Sequence, residues 1–293
     1  MKISCFGEVL WDIFPHHKKI GGAPLNVALR LKTMGIDSSI ITRVGMDDLG
    51  HDIITYINKH GLSSETVQKD NQYHTGEVLV SLDKEGTASY EISRPVAWDF
   101  ISITEEALKE VKASDAIIFG SLAARNDISR KTLFRLLDEA KFKILDVNLR
   151  PPYYDANLLS KLMKRADFIK LNDEELDEIC NHFSIKETAL HEQIKEIANH
   201  TNTDQICVTK GGKGATLFYE GSLYHNNGYK IEVVDTVGAG DSFLATLISK
   251  LLKDTEPQLA LDYACAIGAM VAGSEGANPV FEDKEIEDFI SSQ

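Results

Sequence analysis

Short apolar runs alternate with longer amphipathic segments along most of the chain, a rhythm typical of repeated β-α-β units. Residues 3–6 predict a buried strand, and an apolar face from Pro24 onward predicts a helix that ends near Gly35. Residues 39–44 predict the next strand, followed by a helix that ends at His60. Repetition of this unit predicts an α/β fold with a mostly parallel central sheet and helices on both faces.

The same rhythm continues through the second half of the chain. Further strands are predicted at residues 116–119, 143–147, 168–171, 205–209 and 215–219, and helices at residues 132–140, 158–165 and 262–273. No internal repeat and no flexible linker interrupts this pattern, so residues 1–293 are predicted to form one main domain.

One segment departs from the rhythm. Residues 76–82 and 87–92 both alternate between apolar and polar positions, and turn-forming residues lie between them at 83–86. The segment therefore predicts a β hairpin that is inserted into the main domain. Lid elements are predicted at about residues 11–20 and 75–97, and the hairpin suits either a lid over a cleft or a dimer surface.

Charge and cysteine content narrow the function classes. The formal net charge is −14, from 31 basic and 45 acidic residues, and no Lys/Arg cluster is present, which argues against nucleic-acid binding. The four cysteines are scattered without metal-ligand spacing, which favours a reduced, cytoplasmic setting. Glu8 and Asp12 interrupt the first apolar run, so no secretory signal is expected. The longest uncharged apolar run, residues 263–274, is too short to span a membrane.

The stretch from Val234 to Phe243 carries the strongest chemical signal. Residues 229–234 alternate and predict a strand, and helical spacing follows the glycine-rich turn. Backbone N–H groups at a helix start lack intrahelical partners and attract anions. Asp241 stands where such an anion would bind, and from this stretch alone a helix-capping role and a catalytic-base role are equally favoured.

Polar and glycine-rich residues also follow the ends of several other predicted strands. In open parallel sheets, ligands bind outside the carboxyl ends of the strands, so these positions are candidates for a site. They are Asp12, Asn148, Arg150, Asn172, Glu175 and residues 209–214. Neither a Walker A sequence nor a Gly-x-Gly-x-x-Gly sequence is present, which disfavours P-loop and dinucleotide folds.

Two separated motifs resemble the signatures of the ribokinase/PfkB family of sugar kinases. Residues 235–243 (Asp-Thr-Val-Gly-Ala-Gly-Asp-Ser-Phe) resemble its C-terminal signature, and residues 21–28 (Gly-Gly-Ala-Pro-Leu-Asn-Val-Ala) resemble its N-terminal one. The similarity covers essentially the whole chain. Residues 97–99, 119–122 and 146–151 are most similar to bacterial fructokinases.

The resemblance implies a ribokinase-like three-layer fold with a small β-sheet lid, and transfer of the γ-phosphoryl group of ATP to a sugar hydroxyl. Asp241 would take the proton from that hydroxyl, and the backbone N–H groups of Gly238, Ala239 and Gly240 would form an anion hole. Glu175 would act on Mg²⁺ through water, with Asn172 beside it on the nucleotide side. Without the resemblance, a helix cap with a first-turn acid is the favoured interpretation of these last two residues.

The resemblance also assigns the sugar side. Asp12, Gly22 and Asn26 would hold sugar hydroxyls, although without the resemblance Asp12 is better explained as a strand-end acid and Asn26 as a solvated helical amide. Asn148 and Arg150 would reach the sugar or its phosphate, but an Arg before two prolines also suits an exposed loop.

Nucleotide and cation roles follow from the same resemblance. Thr209, Gly211, Gly214 and Asn278 fit the nucleotide side. Without the resemblance, Gly211 and Gly214 equally suit an ordinary hairpin. K⁺ stays a possible ligand, since family members often bind a monovalent cation through backbone carbonyls. The corresponding carbonyls belong to Asp235, Val237, Val271, Ser274 and Gly276, while Val280 replaces a Ser found in some relatives.

The leading hypothesis is an ATP-dependent fructokinase that makes fructose 6-phosphate, as a homodimer joined through the β lid. One alternative is a kinase of the same family for 2-keto-3-deoxygluconate or ribose, because Arg94 and Arg150 would suit an acidic sugar. The other is a regulator that binds sugar or nucleotide without catalysis. The intact turn at Gly238 to Asp241 disfavours that reading.

Overall fold

The computed structural model describes residues 1–82 and 88–292. The chain divides into two compact units, one made of Met1–Lys32 and Asp37–Lys141 and the other of Thr33–Ile36 and Phe142–Gln293. Both units contain parallel strands with helices packed against them, and the first also holds a small second sheet. The predicted α/β class is confirmed, whereas a single domain over residues 1–293 stays a prediction.

The parallel strands of the first unit lie in the order β8-β1-β4-β5. Their bounds are β1 Lys2–Phe6, β4 Asp37–Gly45, β5 Val67–Asp70 and β8 Ala116–Gly120. The helices of this unit are α1 Ala23–Thr33, α2 Asp48–Lys59, α3 Glu105–Ala113 and α4 Asp127–Leu137. Every residue of β8 is buried, as expected of a parallel strand covered on both faces.

The small sheet of the first unit has the order β3-β2-β6-β7. Its strands are β2 Leu10–Ile13, β3 Lys18–Gly21, β6 Gly76–Leu82 and β7 Ala88–Ile92. The antiparallel pairing of β6 with β7 confirms the predicted hairpin. Its turn was predicted at residues 83–86, which lie outside the described residues.

The base of this hairpin is held by one carboxylate. Asp47, the N-cap of α2, accepts hydrogen bonds from the backbone N–H of Gly50 (2.8 Å) and of Thr75 (2.8 Å), and from the Thr75 hydroxyl (2.6 Å). Burial alone would raise the pKa of Asp47, but these donors favour the ionised form and lower it. The start of β6 is thereby fixed to the start of α2.

The second unit has the strand order β13-β12-β11-β10-β9. Its strands are β9 Lys143–Asp146, β10 Phe168–Asn172, β11 Gln205–Thr209, β12 Ala215–Tyr219 and β13 Ser222–Asn226. Its helices are α5 Ala156–Met163, α6 Asp173–Phe183, α7 Leu190–Thr201, α8 Ala239–Leu251, α9 Pro257–Ala272 and α10 Asp283–Ser291. β9, β10 and β11 are parallel, and β12 and β13 continue the sheet as an antiparallel pair.

The strand predicted at residues 229–234 is wrong. This segment is an irregular loop, and Val233 and Val234 are 61% and 58% exposed. No neighbouring strand among the described residues pairs with it. Instead, the backbone N–H groups of Val234 and Asp235 both donate to the carbonyl of Ala272 at the end of α9, at 2.8 and 3.1 Å. Alternation predicts a strand only where a partner strand accepts its hydrogen bonds.

Two predicted helices begin earlier than expected because their caps lie upstream. The helix predicted at 132–140 is α4, whose N-cap Asn126 accepts from the N–H of Ile128 at 2.9 Å. The helix predicted at 262–273 is α9, which begins at Pro257 after the N-cap Glu256. Among the described residues, no helix combines the length and the apolar character needed to cross a bilayer.

Candidate active site

The glycine-rich turn of the second unit forms the N-terminus of α8. Gly238 is the N-cap with φ of 78°, and Asp241 lies in the first turn, half-buried. Gly238 is therefore the cap and Asp241 is not, which removes the simplest capping role for that carboxylate. The turn follows the irregular loop at 229–237 and not a strand, which corrects the predicted strand-to-helix setting.

Gly238 is required by both conformation and space. A Cβ at this position would lie 2.6 Å from the Cβ and from the carbonyl oxygen of Ala277. The loop that carries Asn278 is thus packed directly against the turn. The N–H of Ala239 donates to the carbonyl of Thr236 at 3.2 Å, so one of the three predicted anion-hole donors has a protein partner in this structure.

The predicted cation carbonyls come from the loop before α8 and from the end of α9 with the loop that follows it. On the first loop, the side chain of Asp235 accepts from the N–H of Val237 at 3.0 Å. At the end of α9, the carbonyl of Val271 accepts from the N–H of Ser274 at 3.0 Å. Gly276 follows with φ of 80°. Backbone bonds to Ala272 bring these two groups of carbonyls into one region of the second unit, while the exposed Val280 (72%) lies further along the second loop.

Asn172 and Glu175 form a reciprocal cap at the start of α6. The Asn172 side chain accepts from the N–H of Glu175 (2.8 Å), and Glu175 Oε2 accepts from the N–H of Asn172 (2.9 Å). Glu175 Oε1 accepts from the N–H of Leu149 (2.7 Å), and its side chain is buried. Burial raises the pKa of Glu175 and outweighs the opposing effects of these donors and of the Lys170 ammonium.

The loop after β9 carries the other predicted residues of this region. Asn148 has φ of 39°, a left-handed conformation that Asn tolerates better than most residues. Arg150 is exposed, and its Nη1 donates to the carbonyl of Leu149 at 2.8 Å. The Glu175 carboxylate, which accepts from the N–H of Leu149, therefore holds the backbone between Asn148 and Arg150.

The predicted nucleotide residues after β11 form a tight turn into β12. The N–H of Lys210 donates to the carbonyl of Gly214 at 2.8 Å, and the Thr209 hydroxyl reaches only 3.5 Å from the carbonyl of Leu171. A Cβ on Gly214 would lie 2.1 Å from the carbonyl oxygen of Asn226, whereas Gly211 faces open space. Packing alone accounts for Gly214, and it does not account for Gly211.

A buried ion pair in the second unit was not singled out from the sequence. Lys170 on β10 donates to Asp146 Oδ1 on β9 at 2.9 Å, and their side chains are 9% and 6% exposed. A Cβ on Gly240 would lie 3.4 Å from Lys170 Nζ, so the ammonium lies against the first turn of α8. The one sequence signal for it was a charged residue inside an otherwise apolar strand.

Three of the five residues predicted to bind the sugar, Asp12, Gly22 and Asn26, lie together in the first unit. A Cβ on Gly21 would lie 2.5 Å from Asp12 Oδ2, so this carboxylate covers the Gly21–Gly22 turn. Gly22 has φ of 112°, and its carbonyl accepts from the N–H of Asn26 at 3.0 Å. Asn26 is buried in the first turns of α1, which contradicts its alternative interpretation as a solvated amide.

A family model for the pfkB family carbohydrate kinases matches residues 4–284. The chain belongs to this family. Family membership and the fructokinase homologues establish it as a sugar phosphotransferase, in agreement with the prediction from the two signatures. In this chain, the polar residues described above form two clusters, one in each compact unit.

Similarity to individual sugar kinases supports this family membership. A fructokinase of Vibrio alginolyticus is 28% identical over 292 residues, which cover 92% of this chain and 92% of that protein. The crystal structure of a Pyrococcus horikoshii sugar kinase in complex with ATP aligns at a TM-score of 0.82 and 25% identity, covering 98% of this chain and 99% of that one. A Vibrio cholerae fructokinase, solved with fructose, ADP and a potassium ion, shares the fold at a TM-score of 0.83 and 21% identity, with 99% and 98% covered.

Magnesium is the cofactor that phosphoryl transfer from a nucleotide implies. In the second unit, the residue that fits this metal is Glu175, acting through a water molecule. Both oxygens of Glu175 already accept backbone N–H groups, yet a carboxylate has about four acceptor positions, so each oxygen keeps one for a water. Mg²⁺ keeps several waters and is held largely by substrate phosphates, which suits a buried carboxylate acting through water. In the part of the chain that the structure describes, no three acidic, His or Cys residues form a metal cluster.

Proposed function

We propose that the chain is an ATP-dependent fructokinase, which transfers the γ-phosphoryl group of ATP to the 6-hydroxyl of D-fructose. The observation that carries the proposal is the turn from Gly238 to Asp241. It combines a glycine N-cap, a helix N-terminus and a half-buried carboxylate in the first turn. Similarity to fructokinases over 92% of the chain supports the choice of sugar.

Asp241 acts as the general base that takes the proton from the attacking hydroxyl. The backbone N–H groups of Gly238, Ala239 and Gly240 bind the charge on the transferring phosphoryl group. Because the N–H of Ala239 already donates to Thr236, this donor has to exchange its partner when the anion binds. The helix dipole of α8 favours negative charge at the same place.

In the first unit we assign the sugar hydroxyls to Asp12, Gly22 and Asn26; in the second unit we separately assign Asn148 and Arg150 to the sugar or its phosphate. A carboxylate accepts from hydroxyls, and a buried amide both donates and accepts, so Asp12 and Asn26 supply complementary partners. Gly22 lies against the carbonyl of Glu8, since a Cβ would approach that oxygen to 2.4 Å. The backbone conformation that positions Asn26 therefore requires this glycine.

On the nucleotide side we assign Asn172, Thr209, Gly211, Gly214 and Asn278. Gly211 supports this assignment best, because its left-handed turn faces open space and a ligand can approach it closely. Asn278 follows Ala277, which packs on the anion turn itself. Glu175 would hold Mg²⁺ through an ordered water, and the metal would supply positive charge to the transferring phosphates. The carbonyls around Ala272 are the proposed ligands of K⁺, and the fructokinase of Vibrio cholerae was solved with a potassium ion bound.

The role of Glu175 is tested by Glu175→Gln. Gln can retain the reciprocal cap with its oxygen, but its NH2 group would then face the Leu149 N–H and lose that hydrogen bond, and the ordered water loses its negative partner. We expect the Mg²⁺ concentration for half-maximal activity to rise by about tenfold. The control is Asn126→Ala, which removes an Asn N-cap from α4 and should cost about 1 kcal/mol of stability without changing the Mg²⁺ requirement. Equal Mg²⁺ requirements in both variants would leave Glu175 with capping alone.

A kinase for 2-keto-3-deoxygluconate is the second candidate, since the exposed guanidinium of Arg150 suits a carboxylate on the sugar. A coupled assay with ATP and a panel of fructose, ribose, 2-keto-3-deoxygluconate and glucose, with and without K⁺, separates these substrates. We expect the highest kcat/KM for fructose. A higher value for 2-keto-3-deoxygluconate that falls in Arg150→Ala would instead establish the second candidate.

We further propose that the small sheet is a lid that joins two copies in a cytoplasmic homodimer. Leu79 on β6 is 44% exposed, which leaves an apolar side chain available on this sheet. All four cysteines are buried, consistent with thiols in a reducing compartment. Sedimentation velocity measures the mass directly, and a monomer at micromolar concentration would contradict the dimer.

A further inference from the structure

Lys170 is a buried charge for which neither the family signatures nor the proposed roles above account. Its Nζ donates to Asp146 Oδ1 at 2.9 Å, and both side chains are more than nine-tenths buried. A buried ion pair contributes little to net stability, since apolar replacements of both partners are often neutral or stabilising. Stability alone therefore gives a weak reason for a lysine at this position.

The location of the ammonium supplies a stronger reason. Nζ lies against Gly240, in the first turn of α8, where a Cβ would be in ordinary van der Waals contact with it at 3.4 Å. Gly240 is not among the residues with positive φ, so its backbone does not require glycine. The absence of a side chain at Gly240 leaves the space beside the ammonium open.

The carboxylates around Lys170 explain what that charge does. Burial alone would lower the pKa of Lys170, but Asp146, Glu175 and Asp241 outweigh it and raise the pKa, so the side chain stays charged at neutral pH. These three carboxylates and one ammonium sum to a net charge of about −2 when ionised. Without Lys170 the phosphates of a nucleotide would approach an even more negative region.

We propose that Lys170 is a positioning residue for phosphoryl transfer, whose ammonium links Asp146 on β9 to the Gly238–Asp241 turn and offsets the negative charge that surrounds the transferring phosphoryl group. This inference rests on the proposed function, because it acts through Asp241 and the anion turn. The group that it assists is an anion of the nucleoside triphosphate class, and the sugar is not involved.

Two neutral variants test the proposal. Lys170→Gln keeps a donor for Asp146, and the double variant Lys170→Met with Asp146→Asn replaces the pair by neutral side chains that need no buried counter-charge. We expect both to fold, with KM for the sugar within about twofold of the parent. Their kcat should fall by at least about tenfold, equivalent to about 1.4 kcal/mol of transition-state stabilisation.

The matched control is Lys143→Gln. Lys143 also bonds an aspartate between β9 and β10, since its Nζ lies 3.1 Å from Asp167 Oδ2, but this pair lies at the start of β9. Its loss should leave kcat unchanged. A purely structural role for Lys170 predicts that the double variant regains the parent kcat along with its thermal stability.

The outcomes separate this inference from the proposed function. Full kcat in folded Lys170→Gln and in the double variant overturns the role of Lys170 and leaves Asp241 untouched. Failure of both variants to fold also overturns it, because the charge would then be needed for folding. Asp241→Asn is measured alongside, and its retention of kcat would contradict the proposed base whatever the lysine variants do.

Discussion

Asp241→Asn is expected to lower kcat by about 10²–10⁴, because general-base catalysis contributes a factor of this size. The substitution keeps the shape of the side chain and removes its ability to take a proton. Asp241 is half-buried in the first turn of α8, and Gly238 already fills the N-cap position, so the fold does not depend on this carboxylate as a cap. Steady-state kinetics with saturating fructose and ATP measures the loss.

The control for helix electrostatics is Asp127→Asn. Asp127 is a first-turn acid of α4, so it makes the same kind of favourable interaction with a helix dipole. We expect this variant to lose a few tenths of a kcal/mol of stability and to keep the parent kcat. If Asp241→Asn behaved like Asp127→Asn, its carboxylate would serve the helix and not the reaction.

Gly238→Ala is expected to lower kcat by about 10²–10³, the effect of removing one donor from a preorganised anion hole. A methyl group at Gly238 would lie 2.6 Å from the Cβ of Ala277, and φ is 78°, so the turn must shift for Ala to fit. The shift would move the backbone N–H groups away from the phosphoryl oxygens. Kinetics and thermal unfolding are measured on the same preparation.

Gly221→Ala separates backbone strain from displacement of the turn. Gly221 has φ of 80° and a Cβ there would meet nothing within 4 Å, so the variant carries the same left-handed strain without a collision. That strain costs roughly 1–2 kcal/mol of stability. We expect Gly221→Ala to lose stability and keep kcat. If Gly238→Ala kept the parent kcat as Gly221→Ala is expected to, the proposed role of the Gly238 turn would be contradicted.

The periodicity of apolar residues and the positions of glycines at turns predicted the fold class, the β6–β7 hairpin and most of the parallel strands. They failed at residues 229–234, an alternating segment that bonds to the end of α9 and pairs with none of the strands that the structure describes. They also misplaced the starts of α4 and α9, which are set by the side chains of Asn126 and Glu256. A local pattern cannot report which distant backbone groups are available.

The candidate site was predictable to the extent that it rests on short motifs. The residues around Gly238 were singled out because glycines and an acidic residue are adjacent in the chain, whereas Asp12, Gly22 and Asn26 were assigned only through the resemblance to the family signatures. The pairing of Asp146 with Lys170 escaped because it joins two strands, and in sequence a single lysine among apolar residues resembles a strand interruption. Glu175 was singled out from the sequence, but with two competing roles. Its capping bonds and its proposed role with Mg²⁺ involve the same two oxygens.

The proposed role of Asp241 as the base in phosphoryl transfer is tested at the chemical step itself. A rapid-quench measurement of a single turnover, with enzyme in excess over ATP and saturating fructose, isolates that step from product release. We expect Asp241→Asn to bind ATP and fructose with the parent affinities and to form fructose 6-phosphate at least about 100-fold more slowly. Formation of the sugar phosphate at the parent rate in this variant would show that Asp241 is not the base.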